Sequence, residues 1–77
     1  MPHVSLKLYP GRSEQEKIAL TEQLVKAVMT LANCAERSVS VAIEEVSPAE
    51  WPERVYRPEI LENPEKLYRK PGYNPFE

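Results

Sequence analysis

The fold of this chain is decided by residues 1–17, MPHVSLKLYPGRSEQEK, which hold a strand pattern, a turn signal and a helix start. Every second residue of the strand pattern is apolar: Val4, Leu6 and Leu8. This alternation predicts a half-buried strand over residues 2–8, and the Pro-Gly pair at residues 10–11 predicts a turn. Ser13 then precedes Glu16 by three residues, the spacing of a capping box at a helix N-terminus.

A long helix is predicted to follow the turn, from about residue 14 to residue 32. Its apolar residues recur at helical spacing and form one stripe: Leu20, Leu24, Ala27, Val28 and Leu31, widened by Ile18, Val25 and Ala32. Asn33 suits the helix end, because asparagine tolerates the left-handed conformation common there. A second alternating stretch, SVSVAIEEV at residues 38–46, predicts the second strand.

Strand, long helix and strand in this order make a β-α-β unit, an α/β (α+β) fold class with parallel strands and a right-handed crossover. A parallel sheet of two strands is too small to stand alone, since parallel strands occur in sheets covered on both faces. We therefore expect two copies to join in a symmetric homodimer with a four-stranded sheet and two long helices.

The C-terminal third is predicted to add a helical segment interrupted by prolines. Residues 47–54, SPAEWPER, have the composition of a turn, and residues 57–73 follow a helical pattern. Pro58 fits the first turn of that helix, whereas Pro64 would break or bend it. We expect two short helical pieces or one bent helix, and a loosely held tail over residues 70–77.

Length and composition exclude several classes of protein. A chain of 77 residues makes one domain, residues 1–77, and buries too little surface to be stable alone. Cys34 is the only cysteine and His3 the only histidine, so neither an intrachain disulfide nor a structural zinc site is expected. The net charge of −2 argues against nucleic acid as a partner. No apolar run approaches the ~18 residues of a membrane helix, and the lone cysteine points to the cytoplasm.

Pro2 is the residue with the most distinctive chemistry. If Met1 is removed, the proline nitrogen becomes a free secondary amine on a rigid ring, able to accept a proton. Burial beside apolar residues lowers the pKa of an amine because it disfavours the charged form, and a nearby arginine acts in the same direction. Such an amine is a general base near neutral pH. The alternative is that a proline stands second by chance.

Two further residues are candidates for binding a substrate. Arg12 follows the first turn, and its guanidinium fork suits a carboxylate or carbonyl; the alternative is a solvent-exposed loop arginine. Trp51, the only tryptophan, either walls an apolar pocket or holds its turn against the core. His3 is a weaker candidate, for a general acid, since a surface or interface role is commoner. Cys34 suits packing better than nucleophilic attack, because no histidine is near it in sequence.

These features together resemble the tautomerase superfamily, in particular its 4-oxalocrotonate tautomerase-like group. The likeness rests on Pro2, on GRSEQEK at residues 11–17 before the long helix, and on SVSVAIEEV at residues 38–46. The C-terminal part resembles the PptA-like branch, which has a tryptophan in the turn and a C-terminal helix ending in KPGY, here residues 70–73.

The resemblance implies a cofactor-independent tautomerase, an isomerase acting on keto–enol or double-bond isomers of a small unsaturated 2-keto acid. It implies that Pro2 is the general base, that Arg12 binds the substrate carboxylate and that Trp51 lines the pocket. Well-known members carry a second arginine in the second strand, where this chain has Ser40. The donor to the dienolate oxygen is then Ser40, a backbone N–H or a water. The PptA-like branch is implied to be dimeric.

Two other functions are compatible with the same residues. Dehalogenase- or hydratase-like relatives use a protonated proline and an acidic residue that activates water, and no such carboxylate can be placed in this sequence. A non-enzymatic homo-oligomeric module, in which Pro2 is incidental, is the other. The mass of the intact protein separates the two enzymatic functions, which need a free proline nitrogen, from the non-enzymatic module. A retained Met1 would leave that nitrogen acylated.

Overall fold

The computed structural model describes residues 1–77 and contains five regular elements. They are strand β1 (His3–Leu8), helix α1 (Glu14–Leu31), a 3₁₀ turn (Glu36–Ser38), strand β2 (Ser40–Glu45) and a π-helix (Pro52–Leu61). The chain divides into two compact units, Met1–Glu45 and Val46–Glu77. The first unit holds both strands and α1, and the second holds the π-helix and the C-terminal segment.

The first unit is a β-α-β unit whose two strands pair in parallel. Its half-buried face carries two apolar cross-strand pairs: Val4 with Val41 and Leu6 with Ile43. Ser5 and Ala42 lie between these pairs on the opposite face and are exposed, as the alternation in the sequence predicts. The predicted fold class, α+β with a parallel β-α-β unit, is confirmed.

Both strands begin later than predicted. β1 begins at His3 rather than at the preceding proline, which has no N–H to donate to a neighbouring strand. β2 begins at Ser40 rather than at residue 38. Ser38 instead closes the 3₁₀ turn, because its backbone N–H (3.0 Å) and its hydroxyl (2.8 Å) both donate to the carbonyl of Ala35.

Helix α1 begins where the capping box predicts. The backbone N–H of Glu16 donates to the Ser13 hydroxyl (3.1 Å), and the backbone N–H of Ser13 donates to the Glu16 carboxylate (2.9 Å). These hydrogen bonds, with the charge of Arg12, hold the pKa of the Glu16 carboxyl below its usual value. Gly11 precedes the box at φ 125°, a conformation that side chains of L-residues rarely adopt.

Ser13→Ala is expected to lower the free energy of unfolding by about 1 kcal/mol, because the first turn of α1 loses an acceptor for a backbone N–H. The pKa of Glu16 is lowered in the folded state, so the contribution of its carboxylate is present at neutral pH. That contribution is lost as the pH falls through the folded-state pKa. Urea denaturation at fixed protein concentration, repeated across acidic pH, measures both effects.

Ser13→Thr is the matched control for this substitution. It keeps the hydroxyl that accepts the N–H of Glu16, and threonine is itself a good N-cap residue. We expect the threonine variant to lose less than half of what the alanine variant loses. Equal stability of the two variants would contradict the role of the Ser13 hydroxyl as a cap.

Helix α1 ends as predicted but leaves its apolar stripe uncovered. Its last residue is Leu31, and Asn33 follows in the left-handed conformation with φ 53°. No residue of α1 is buried within the chain. On the predicted stripe, Ile18 is 54% exposed and Leu31 is 86% exposed. A single copy of the chain therefore does not cover the apolar face that its sequence encodes.

The second unit departs from the predicted turn over residues 47–54. Only residues 48–50 form a turn, and the π-helix follows directly, beginning at Pro52 rather than in the segment that starts at residue 57. Ser47 holds the turn, since its hydroxyl accepts the backbone N–H of Glu50 at 3.2 Å. The π-helix itself begins after Trp51 without a side-chain cap.

One helix, not two, is present in the C-terminal part. The sequence predicted Pro58 in the first turn of a helix, but it lies inside the π-helix. The wide turn of this helix is closed by the backbone N–H of Glu62, which donates to the carbonyl of Arg57 at 2.9 Å. Residues 64–66 form a turn where a second helical piece was one of the two expectations. The break expected before Pro64 is thus observed, because the helix ends at Leu61.

No helix of the structure has both the length and the apolar composition required to cross a membrane.

Three apolar side chains are buried in the chain: Val46, Val55 and Tyr56. All three belong to the second unit, so the β-α-β unit has no fully buried apolar side chain of its own.

Candidate active site

Pro2 lies directly before β1 and is held in place by the first residue of β2. The backbone N–H of Ser40 donates to the Pro2 carbonyl at 3.1 Å, which continues the parallel ladder by one bond. Pro2 is half-buried, whereas Met1 is fully exposed. With Met1 attached, the nitrogen of Pro2 is part of an amide and has no basic lone pair. Only removal of Met1 would make that nitrogen a free secondary amine.

Ser40 and His3 form a side-chain pair beside Pro2. The two residues are register partners on the sheet face that is turned away from α1, and the His3 Nδ1 lies 2.7 Å from the Ser40 hydroxyl oxygen. Both residues are exposed in the chain. The structure thus brings together three residues considered from sequence, Pro2, Ser40 and His3.

The direction of the hydrogen bond between His3 and Ser40 determines what the serine can do. If Nδ1 carries a proton and donates it to the serine oxygen, the hydroxyl proton of Ser40 is free to point at another acceptor. A protonated imidazole carries protons on both nitrogens, so the bond then runs only in this direction. A negatively charged oxygen next to Pro2 is an acceptor of the kind that such a hydroxyl stabilises.

Arg12 is not close to Pro2 within one chain. Pro2 precedes the six residues of β1 and Arg12 follows them, so the two lie at opposite ends of a strand about 20 Å long. At its own end, Arg12 lines a shallow depression of about 240 Å³ together with residues 8–11. A substrate of a few carbon atoms cannot contact both residues of the same chain.

Trp51 belongs to the second unit, at the start of the π-helix. Its side chain is half-buried, and its indole N–H donates to the hydroxyl oxygen of Tyr73 at 2.9 Å. No local pattern in the sequence connects Trp51 with Tyr73, since the two residues are 22 positions apart.

Two adjacent grooves run along the helix-facing side of β2. One has a volume of about 450 Å³ and the other of about 330 Å³. They share Thr21 and Glu22 and are otherwise lined by residues of α1, β2 and the segment between them: Glu14, Lys17, Ile18, Val25, Lys26, Met29, Glu36, Val39, Val41 and Ile43. Neither groove includes Pro2, Arg12, Ser40 or Trp51. They mark the uncovered apolar side of the β-α-β unit rather than the site at its amino terminus.

Known proteins resemble this chain over most of its length. The family model described as tautomerase enzyme matches residues 2–52. A probable tautomerase of Xylella fastidiosa (strain 9a5c) is 37% identical over 95% of this chain and 89% of that protein. Tautomerase PptA of Cronobacter sakazakii (strain ATCC BAA-894) is 38% identical over 95% of this chain and 97% of that protein. The crystal structure of TomN, a 4-oxalocrotonate tautomerase homologue in the tomaymycin biosynthetic pathway, is 36% identical with a TM-score of 0.63 and covers 65% of this chain and 77% of that chain.

Fold and relatives define the same class, a small α+β isomerase built on one β-α-β unit. The chain belongs to the tautomerase family. The resemblance to the 4-oxalocrotonate tautomerase-like group and to PptA, seen in the sequence, is confirmed. The protein is accordingly an enzyme, a tautomerase.

Proposed function

We propose that this tautomerase isomerises a small unsaturated 2-keto acid, between its enol and keto forms or between two positions of its double bond. Pro2, freed by removal of Met1, is the general base, and no cofactor takes part. The observation that carries this proposal is the hydrogen bond from the Ser40 N–H to the Pro2 carbonyl, with the His3–Ser40 pair beside it. These bonds bring the backbone of Pro2 to Ser40 at the start of the sheet, which supports a site that combines the proline with a hydroxyl donor.

The reaction on an enol is balanced by one proton that leaves and returns. The nitrogen of Pro2 accepts the proton of the enol O–H, and the electron pair of that bond remains on oxygen as an enolate, or as a dienolate in a 2-hydroxydienoate. The carbonyl then forms as the carbon–carbon double bond shifts its electrons to a carbon that takes the proton back from the prolinium ion. In an aryl enol this is the carbon next to the carbonyl, and in a dienol it is also the carbon at the far end of the conjugated system. The rigid ring of proline keeps the lone pair directed at the substrate during both transfers.

Ser40 is the proposed donor to the dienolate oxygen. It stands in β2 where well-known members of the family carry an arginine, and its oxygen lies 2.7 Å from His3. A neutral hydroxyl stabilises an oxyanion or a carboxylate less than a guanidinium does. Because Ser40 replaces the second arginine, only Arg12 is left to bind a carboxylate, so a substrate with one carboxylate suits this chain better than a dicarboxylate does.

Trp51 is proposed to line the part of the pocket that takes the rest of the substrate, by analogy with the family. Its indole N–H is already engaged by Tyr73, so the ring presents mainly apolar surface. Enols of aryl 2-keto acids, such as phenylenolpyruvate, and 2-hydroxydienoates combine the carboxylate, the enol and the apolar group that these residues suit.

We propose that the enzyme acts as a homodimer. The apolar stripe of α1 is exposed, with no residue of this helix buried, and the two-stranded sheet leaves both edges unpaired. A sheet of two strands is too small for independent stability. A second copy that extends the sheet to four strands supplies the missing contacts, and residues 1–77 then form one tautomerase-like domain in each subunit.

Cys34 remains a free thiol, which supports a cytoplasmic location.

A two-fold axis makes the strands of the two subunits antiparallel where they meet, so the start of one strand lies beside the end of the other. If two copies of β1 pair in this way, the partner's β1 ends beside Pro2, and the turn after it brings the partner's Arg12 to the same end of the sheet as Pro2. The separation of Pro2 and Arg12 within one chain therefore supports a site shared between two subunits.

Ser40→Ala is expected to lower kcat for phenylenolpyruvate about tenfold, because the developing oxyanion loses a hydrogen bond that is absent from the ground state. KM should change less than twofold, since Arg12 still binds the carboxylate. Initial rates of enol loss, followed by ultraviolet absorbance for the wild type and the variant, measure both values and test the proposed function itself.

Ser5→Ala is the matched control, since Ser5 is exposed on the same face of the sheet as Ser40 and is paired in register with Ala42. Its kinetic constants should equal those of the wild type. An unchanged kcat in Ser40→Ala removes this residue from the site while the rest of the proposal stands. A wild-type enzyme that does not accelerate ketonisation of any aryl enol or 2-hydroxydienoate overturns the proposed substrate class.

A further inference from the structure

A hydrogen bond connects the only tryptophan of the chain to the C-terminal segment. The Nε1–H of Trp51 donates to the hydroxyl oxygen of Tyr73 at 2.9 Å. An indole N–H has no acceptor capacity, so the tyrosine oxygen must accept this hydrogen bond. The bond joins the first turn of the π-helix to the KPGY segment of residues 70–73.

Tyr73 is itself fixed by its neighbours. The hydroxyl of Tyr56, a residue that is only 4% exposed, donates to the Tyr73 carbonyl at 3.2 Å, and the two ring centroids are 5.5 Å apart. Phe76 packs edge-on against Tyr56 at 5.8 Å, and the guanidinium of Arg57 lies 4.5 Å from the Phe76 centroid. Arg57 in turn forms a forked pair with Glu53, at 2.9 and 3.1 Å.

Tyr56 therefore anchors the backbone of Tyr73 and packs against its ring, and the Tyr73 hydroxyl, in a residue that is 47% exposed, is the acceptor aligned with Trp51. The indole of a tryptophan turns about two side-chain torsions, and a partly exposed ring without a polar partner samples several rotamers. An acceptor held at a fixed place selects the rotamer whose N–H points at it. The face of the ring is then presented in one orientation.

We infer that Tyr73 is a positioning residue that sets the orientation of Trp51 and thereby selects substrates with a planar apolar or aromatic group. This inference rests on the proposed role of Trp51 as a wall of the pocket. Offset stacking on an indole requires a defined ring plane, whereas a small non-aromatic enol makes little use of that plane. The KPGY segment is then a determinant of specificity, not only a support for the fold.

Tyr73→Phe tests the inference by removing one oxygen atom. We expect KM for phenylenolpyruvate to rise about three- to tenfold, the range of one lost hydrogen bond, with kcat changed less than about twofold. Kinetic constants for a small non-aromatic 2-hydroxydienoate should stay within about twofold of wild type, because no stacking is lost. Trp51 is the only tryptophan, so its fluorescence should shift to longer wavelength and become more accessible to acrylamide.

Tyr68→Phe is the matched control, since Tyr68 is fully exposed and the chemical change is identical. Neither its kinetics nor its tryptophan emission should change. A Tyr73→Phe variant with unaltered emission and quenching overturns the positioning role. Altered emission with an unchanged KM for the aryl enol shows instead that Trp51 is not a wall of the pocket, which separates failure of that proposal from failure of the positioning role.

A measurement on the wild type keeps the inference testable if the Tyr73 variant does not fold. The single indole N–H gives one NMR signal, and a proton donated to Tyr73 exchanges with solvent more slowly than that of free tryptophan. An exchange rate equal to that of free tryptophan would contradict the hydrogen bond and, with it, the positioning role.

Discussion

Pro2→Ala is expected to lower kcat/KM for phenylenolpyruvate about 100-fold, the lower end of the range for loss of a general base. The alanine variant keeps a primary amine at its terminus, so some base catalysis survives. It loses the ring that directs the lone pair, and with it the favourable geometry of proton transfer. Steady-state rates of the purified variant and wild type measure the loss, after intact mass has shown that Met1 is absent from both.

Two controls separate loss of the base from loss of structure. Cys34→Ala replaces another half-buried residue outside the proposed site and should leave kcat/KM unchanged. A preparation that retains Met1 should be inactive although its sequence is otherwise intact, because its proline nitrogen is an amide. Equal rates for wild type, Pro2→Ala and the Met1-retaining form would rule out the proline as the base.

The first unit could be predicted from sequence because its signals are local. The alternation of Val4 and Leu6, the Ser13–Glu16 box and the left-handed Asn33 each involve residues within one helical turn or a few strand positions. Each was found in the structure where the sequence placed it. The start of β2 was predicted less accurately, since Ser38 makes two hydrogen bonds to the carbonyl of Ala35 that compete with pairing in the sheet.

The second unit was predicted less well because its prolines dominated the interpretation. Pro58 was placed in a first turn because proline is favoured there, yet the helix had already begun at Pro52. The π-helix begins after Trp51 without a side-chain cap, so no capping residue marks its start in the sequence. Ser47 and Glu50 repeat the three-residue spacing of Ser13 and Glu16, but the Ser47 hydroxyl holds the turn before the helix.

Contacts between distant residues could not be predicted from the sequence at all. The His3–Ser40 pair depends on the register of two parallel strands, and a shift of one residue would put either side chain on the other face. The hydrogen bond between Trp51 and Tyr73 depends on where the C-terminal segment turns back. The two residues were visible separately, but no spacing rule connects them.

The distance between Pro2 and Arg12 leads to the second large effect. Because the two residues lie at opposite ends of β1, the antiparallel dimer that we propose would build each site from Pro2 of one subunit and the partner's Arg12. Arg12→Ala alone should lower kcat/KM by roughly 10- to 100-fold, the cost of one charged hydrogen-bonding partner. Pro2→Ala alone should be similarly impaired, as argued above for the base.

Co-expression of Pro2→Ala and Arg12→Ala chains should restore activity that neither variant has alone. In a mixed dimer, the intact Pro2 of one chain meets the partner's intact Arg12, and the second site of that dimer carries both substitutions. Random assembly puts about half of the chains in mixed dimers, so about a quarter of all sites recover. Differently tagged chains allow the mixed dimer to be purified, and its kcat/KM per dimer should be about half that of wild type.

The reciprocal mixture distinguishes a shared site from a site within one chain. A chain with both Pro2→Ala and Arg12→Ala, paired with a wild-type chain, has no intact site if the two residues act across the interface. The same mixed dimer has one intact site if they act within a chain. We therefore expect the purified wild-type/double-variant dimer to be nearly inactive. Half-activity in this dimer, together with no recovery in the first mixture, would show that each subunit carries its own complete site and that β1 does not pair as proposed.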